Sequence, residues 1–243
     1  MTAKLYGLGV GPGDPELITV KALRILQRVK VIAWPAPDNG VSFARSIVEQ
    51  YITPDQLEIP IIVPMKVERH PAKDVYDQAA KLISSHLDSG SDVAVLCEGD
   101  PFFYGSFMYL YERLEADYDC EIVPGVSSLM ASASVLQRPL AARNDVLSVI
   151  PAPLSDDEIE ARIGQSDAIA FIKVGRHIER IKSLLERLGL LQSAAYVERA
   201  SLPNQRIFPL AKLDDDIAPY FSMILVYKGG ETWISSLNIK GEM

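Results

Sequence analysis

Two Gly-Asp-Pro turns, Gly13-Asp14-Pro15 and Gly99-Asp100-Pro101, each follow an apolar run and precede a segment of helical spacing. A third turn, Val123-Pro-Gly-Val-Ser-Ser128, has the same setting without the acid. A strand that stops at Glu98-Gly99-Asp100-Pro101 exposes backbone and carboxylates at the carboxyl edge of a sheet. Open α/β folds bind ligands at that edge. Three such turns predict one ligand cleft.

The turns limit what the ligand can be. In the dinucleotide pattern G-x-G-x-x-G, a start at Gly7 and Gly9 puts Pro12 where the third glycine belongs; a start at Gly9 and Gly11 puts Asp14 there. Pro12 removes an N–H, and Asp14 places negative charge where a pyrophosphate would lie. No Gly-Lys-Ser/Thr follows, so a P-loop fails too. The turns suit a ligand with hydroxyls, an amine or a positive centre. Asp14 and Asp100 have two readings here: caps that fix turns, or acceptors for such a ligand.

The elements that would position these turns follow from periodicity. Strands are expected at 3–9, 29–34, 57–63, 92–97 and 120–123. Helices are expected after Asp14-Pro15 and near 42–51, 71–89, 105–116 and 127–137. Pro35-Ala-Pro-Asp-Asn-Gly40 reads as a rigid loop. The βα alternation implies a largely parallel sheet. After Arg138-Pro139, strands are expected at 146–150, 168–174, 194–198, 205–209 and 221–227, with helices at 155–163 and 177–188. The short links between the last strands predict antiparallel pairing. The reading is α/β with two domains, residues 1–130 and 131–243. Residues after Gly229 read as a loosely ordered tail.

The 243 residues carry a formal net charge of −8, which argues against a nucleic-acid partner. No apolar run reaches the roughly 20 residues of a membrane span, and no secretion signal opens the chain. A cytoplasmic protein is expected, with Cys97 and Cys120 reduced. Its three histidines are not closely spaced, so no protein-bound metal is expected.

Gly9-Val-Gly-Pro-Gly-Asp-Pro-Glu-Leu-Ile-Thr19, Glu98-Gly-Asp-Pro-Phe-Phe-Tyr-Gly105 and Val123-Pro-Gly-Val-Ser-Ser128 together resemble three signatures of the tetrapyrrole (corrin/porphyrin) methylases. The resemblance runs over nearly the whole chain. It implies two α/β/α domains with an active-site trough between them, S-adenosylmethionine as methyl donor, a tetrapyrrole substrate and a homodimer. Trp34-Pro-Ala-Pro37, Ile59-Pro-Ile-Ile-Val-Pro-Met65 and Phe171-Ile-Lys-Val-Gly-Arg176 resemble the branch that methylates C20 of precorrin-2. The metal-free acceptor is expected, with the cobalt-loaded one and other family acceptors such as uroporphyrinogen III as alternatives. A non-catalytic nucleotide-binding module is the alternative from another class, and Pro12 and Asp14 oppose it.

Carried onto this chain, the resemblance implies cofactor contacts at Pro12, Glu98, Gly99, Asp100, Tyr104, Gly105, Ser127 and Ser128. It also implies strand-end backbone contacts at Val174, Ala200 and Ile224. At Lys173-Val174 the uroporphyrinogen methylases tend to carry a methionine, which weakens a first-methylation reading. A polycarboxylate substrate needs cations, and the candidates are Lys173, Arg176, Arg199 and Arg69. Lys173 and Tyr104 are the candidate catalytic residues. Lys173 interrupts an apolar run, and Tyr104, with Phe102 and Phe103, either stacks on a macrocycle or packs.

Overall fold

The computed structural model describes residues 3–38, 40–63, 70–214 and 217–231. Arg69 and the segment from residue 232 onward lie outside the described residues. The chain forms two compact units, Met1–Ser127 and Ser128–Met243.

The first unit holds five strands: β1 (Lys4–Gly9), β2 (Val31–Pro37), β3 (Leu57–Val63), β4 (Val93–Cys97) and β5 (Asp119–Val123). They form one parallel sheet in the order β3-β2-β4-β1-β5. Helices α1 (Val20–Arg28) and α2 (Phe43–Val48) cover one face, where Ala22, Leu26 and Ile47 meet Leu8, Ile32 and Leu96. Helices α3 (His70–Asp88) and α4 (Phe107–Leu114) cover the other, where Ile83, Phe107 and Leu110 meet Leu5, Val93 and Val95. Cover on both faces explains why β4 is apolar throughout and why its five residues are all buried.

Two local expectations are corrected. Asp14 and Pro15 do not start α1. Asp14 accepts the Glu16 N–H and opens a single 3-10 turn, Pro15–Leu17, and Thr19 caps α1 by accepting the Ala22 N–H at 3.2 Å. The Pro35-Ala-Pro37 segment is not a loop but the end of β2. Pairing with β4 stops at Ala33 while pairing with β3 continues to Pro37. A strand paired on one side tolerates proline, which has no N–H to give.

The second unit contains α5 (Ser128–Leu136), β6 (Leu147–Pro151), α6 (Asp156–Gly164), β7 (Ala168–Ile172), α7 (Ile178–Arg187), β8 (Ala194–Glu198), β9 (Arg206–Pro209) and β10 (Ser222–Tyr227). The sheet order is β6-β7-β10-β8-β9. Only β6 and β7 are parallel; the other pairs are antiparallel, as the short links require. Helices α6 and α7 pack Ile159, Ile178, Ile181 and Leu185 against Phe171, Tyr196 and Ile224. On the opposite face α5 packs Leu129 against Ala170 and Ile172, and Ala131 and Leu136 against Ala195 and Val197.

Candidate active site

In the first unit the crossover from β1 runs to β2 on one side, and the crossover from β4 runs to β5 on the other. Neighbouring strands whose connections diverge leave a crevice at their carboxyl ends. The three glycine turns leave β4, β1 and β5, which are adjacent. Past the strand ends, Val10 N–H donates to the Cys97 carbonyl at 2.9 Å. Gly99 N–H donates to the Gly11 carbonyl at 2.7 Å, and Gly11 N–H returns a bond to Gly99 at 3.3 Å.

This junction admits no side chain. A Cβ on Gly125 would lie 2.0 Å from the Gly99 carbonyl oxygen, and one on Gly9 would lie 2.5 Å from the Gly125 nitrogen. A Cβ on Gly105 would meet the Pro101 carbonyl at 2.4 Å, so the aromatic turn after β4 is equally tight. Pro12 is buried beside the junction. Backbone packs directly on backbone where β4, β1 and β5 end.

Asp100 serves that backbone. Its Oδ1 accepts the N–H groups of Phe102 (2.9 Å) and Phe103 (3.0 Å), and its Oδ2 accepts Gly125 N–H at 3.1 Å. The carboxylate therefore ties the β4 turn to the β5 turn. Glu98 sits one residue past β4, half-buried, and burial pushes its carboxyl above the usual range. Burial also pushes the Cys97 thiol well up; Cys97 and Cys120 are both free thiols. Tyr104 is exposed, has a left-handed φ of +57°, and meets Phe103 edge-on at 5.2 Å. Phe102 meets Tyr111 edge-on at 5.2 Å and also approaches Phe107. Ser127 is half-buried after the Gly125 turn, and Ser128 begins α5.

In the second unit the register puts Lys173 and Arg199 on the same sheet edge. Strands β7 and β8 both run antiparallel to β10, with Phe171 opposite Ile224 and Glu198 opposite Ser222. Lys173 and Arg199 are the first residues past β7 and β8, so they flank the start of β10. Both are left-handed, with φ of +57° and +50°. A non-glycine residue with positive φ is uncommon, and such strain concentrates at functional positions. Lys173 is exposed and lies beyond the strand, so the expectation that it interrupts one is corrected: β7 ends at Ile172.

Other candidates stand differently. Val174 and Ile224 are fully buried in the α6–α7 core, and Ala200 is buried against the α5 side. Only their backbones could face a ligand. Ile224 is also not at a strand end, because β10 is paired at that residue with both β7 and β8. Arg176 is exposed on the 3-10 turn after Val174, with Nε 3.5 Å from His177 Nε2. Partial burial and the Arg180 and Arg176 charges lower the His177 pKa.

Glu198 is a residue that the sequence does not single out. It is 2% exposed and accepts from Tyr196 Oη at 2.9 Å, from Arg199 Nη1 and from Arg206 Nη1 at 3.3 Å. The one sequence signal is an acid closing an otherwise apolar strand. Among the described residues no group of three or more His, Cys, Asp or Glu could hold a metal ion, and no helix is long and apolar enough to cross a membrane.

Residues 4–214 match the family model described as Tetrapyrrole (Corrin/Porphyrin) Methylases. The chain is 42% identical over 233 residues to the cobalamin biosynthesis protein CobIJ of Mycobacterium tuberculosis, covering 93% of this chain and 46% of that one. It thus spans about half the length of that relative. It is 38% identical over 231 residues to a precorrin-2 C(20)-methyltransferase of a Sinorhizobium species, covering 92% and 94% of the two chains. The solved structure of the cobalt precorrin-4 methyltransferase CbiF resembles it with a TM-score of 0.71 at 24% identity, covering 96% of each chain. At that identity the likeness establishes the fold.

Proposed function

The chain belongs to the tetrapyrrole (corrin/porphyrin) methylases, and on that premise we propose that it moves a methyl group from S-adenosylmethionine to C20 of precorrin-2, giving precorrin-3A in cobalamin biosynthesis. The observation that carries this reading is the junction of Gly9, Gly99 and Gly125, where three adjacent strand ends pack backbone against backbone. Pro12, Asp14, Glu98 and Asp100 give that edge a character suited to a cationic ligand without phosphate. The near full-length likeness to the Sinorhizobium enzyme supports the choice of acceptor.

S-adenosylmethionine supplies an electrophilic methyl on a sulfonium. The residues of this chain then have three tasks. The backbone at Gly99–Asp100 and Ser127–Ser128, with Pro12, Tyr104 and Gly105, holds the donor. Lys173, Arg199 and Arg176 hold the acceptor's carboxylates, since the reaction needs its carbon positioned rather than activated. The third task is to keep water off the reacting atoms, which raises the worth of each charge in the site. As the C20–CH3 bond forms, the S–CH3 bond breaks and S-adenosylhomocysteine leaves; the proton on C20 then passes to water or to the substrate itself.

We further propose that the protein acts in the cytoplasm as a homodimer. The free thiols accord with a reducing compartment. The exposed side chains of Phe102, Phe103, Met108 and Tyr109 provide apolar surface for a second copy. Sedimentation velocity should give twice the 26.8 kDa chain mass; a monomer at micromolar concentration contradicts this.

The test of the reaction is incubation with S-adenosylmethionine carrying a 13C methyl and metal-free precorrin-2, followed by NMR of the product. We expect the label on C20. A label on another carbon, or transfer only to the cobalt-loaded acceptor run in parallel, refutes the assignment.

A further inference from the structure

We infer that Glu198 is a positioning residue that holds the Arg199 guanidinium as a fixed fork for a substrate carboxylate, paired across the start of β10 with Lys173. This inference rests on the proposed tetrapyrrole reading and deepens it.

The charge on Glu198 is out of place for a residue that only packs. It closes β8 at 2% exposure, where four preceding residues are buried and apolar or aromatic. Burying a carboxylate is costly unless hydrogen bonds and opposite charge satisfy it. Here Tyr196 Oη donates at 2.9 Å, and Arg199 and Arg206 approach from two sides. Ion pairs of this kind add little net stability over apolar packing, so the arrangement points to a fixed geometry. One carboxylate between two guanidiniums also leaves net positive charge at the strand end.

Arg199 is constrained from three directions. Its φ is +50°, its N–H donates to the Phe221 carbonyl at 2.8 Å, and its carbonyl accepts from Leu202 N–H at 3.0 Å. The side chain touches Glu198 through Nη1 and keeps 35% exposure. A guanidinium has five N–H donors, so a carboxylate can be received by the rest of the fork. Preorganisation lowers the ordering cost of each new bond.

Lys173 supplies the second cation. It follows β7 as Arg199 follows β8, with β10 between them. Two inter-strand spacings separate the two backbones, about 10 Å. At that spacing two long cationic side chains can reach separate acidic side chains of one macrocycle.

The experiment compares Glu198→Gln, Arg199→Ala and the double variant. Glutamine keeps an acceptor for Tyr196 Oη but loses the charge. We expect Glu198→Gln to raise the KM for precorrin-2 about tenfold, with kcat changed less than threefold and S-adenosylhomocysteine affinity unchanged. The double variant should be no worse than Arg199→Ala, because both lesions remove one function. In parallel, fluorescence titration with sirohydrochlorin, the oxidised form of the acceptor, reads binding without turnover. The same tenfold loss is expected there. If the wild type binds sirohydrochlorin and Glu198→Gln binds it equally well, the inference fails, whatever happens to melting temperature. If the wild type binds no tetrapyrrole, both this inference and the proposed function fail. If it binds in the Glu198-dependent way but transfers no methyl, only the proposed reaction fails.

Discussion

At the scale of single residues, Asp100 is the side chain that ties two turns together. Both of its oxygens are committed to backbone N–H groups of two turns. Asp100→Ala should therefore cost stability as well as donor affinity. Three accepted bonds, partly open to water, are worth about 1–3 kcal/mol together. Denaturant unfolding and calorimetry with S-adenosylhomocysteine should both show the loss; unchanged stability would mean that the latch does not matter. Lys173 poses the opposite case. Its left-handed backbone costs an L-residue about 1–2 kcal/mol, and glycine avoids that while adding freedom to the unfolded chain. Lys173→Gly should raise stability by up to about 1 kcal/mol and still lower turnover of the acceptor. A variant with lower stability would show that the side chain holds the fold. Glu98 gives a pH signature. Its folded carboxyl is raised by burial, so the native state holds that proton more tightly than the unfolded chain does. Its contribution to stability is full below the unfolded value, roughly 4.3, and is lost as pH rises through the folded one. Glu98→Gln should melt higher than the wild type at pH 8, with the gap closing toward pH 4. A gap that does not vary with pH would remove burial of the charge as its cause.

At the scale of elements, the junction of β1, β4 and β5 depends on glycine. Gly125→Ala would force a Cβ to within 2.0 Å of the Gly99 carbonyl, so one turn must move. The expected cost is about 2–4 kcal/mol, with at least a tenfold loss of S-adenosylhomocysteine affinity in calorimetry. Wild-type affinity would show that the donor does not use this junction. The elements themselves were largely legible. Leu57–Val63 and Ala194–Glu198 follow from β-branched and apolar runs bounded by turn residues, and they form as expected. The misreadings have local causes. Pro35 and Pro37 look like breakers, yet a strand with one open side carries them. Asp14-Pro15 looks like a helix start, but Thr19 is the residue whose oxygen reaches the third N–H onward. Spacing shows that a cap is near; only backbone geometry decides which cap is used.

At the scale of the whole molecule, the proposed reaction asks an acidic chain of net charge −8 to receive a polyanion. Local cations can override the global sign, and Lys173 and Arg199 share one edge of the second sheet. Raising salt from 0.05 to 0.5 M should therefore raise the KM for the acceptor several-fold and leave that for the donor within twofold. Equal salt dependence would argue against a charge-guided acceptor site. The sequence made the turns of the first unit readable, because glycine and proline are required by backbone geometry that no other residue satisfies. It left Glu198 unread, because its burial arises from the antiparallel packing of β8, β9 and β10, which no local pattern encodes. The left-handed states of Tyr104, Lys173 and Arg199 were hidden for the same reason: nothing in a tyrosine, lysine or arginine announces a positive φ. The central claim, that the turns after β1, β4 and β5 hold the methyl donor, is tested most directly by a crystal structure with S-adenosylhomocysteine. The ligand should make hydrogen bonds to backbone at Gly99–Asp100 and to Ser127 or Ser128. Density for it elsewhere on the protein, away from all three turns, would contradict the account.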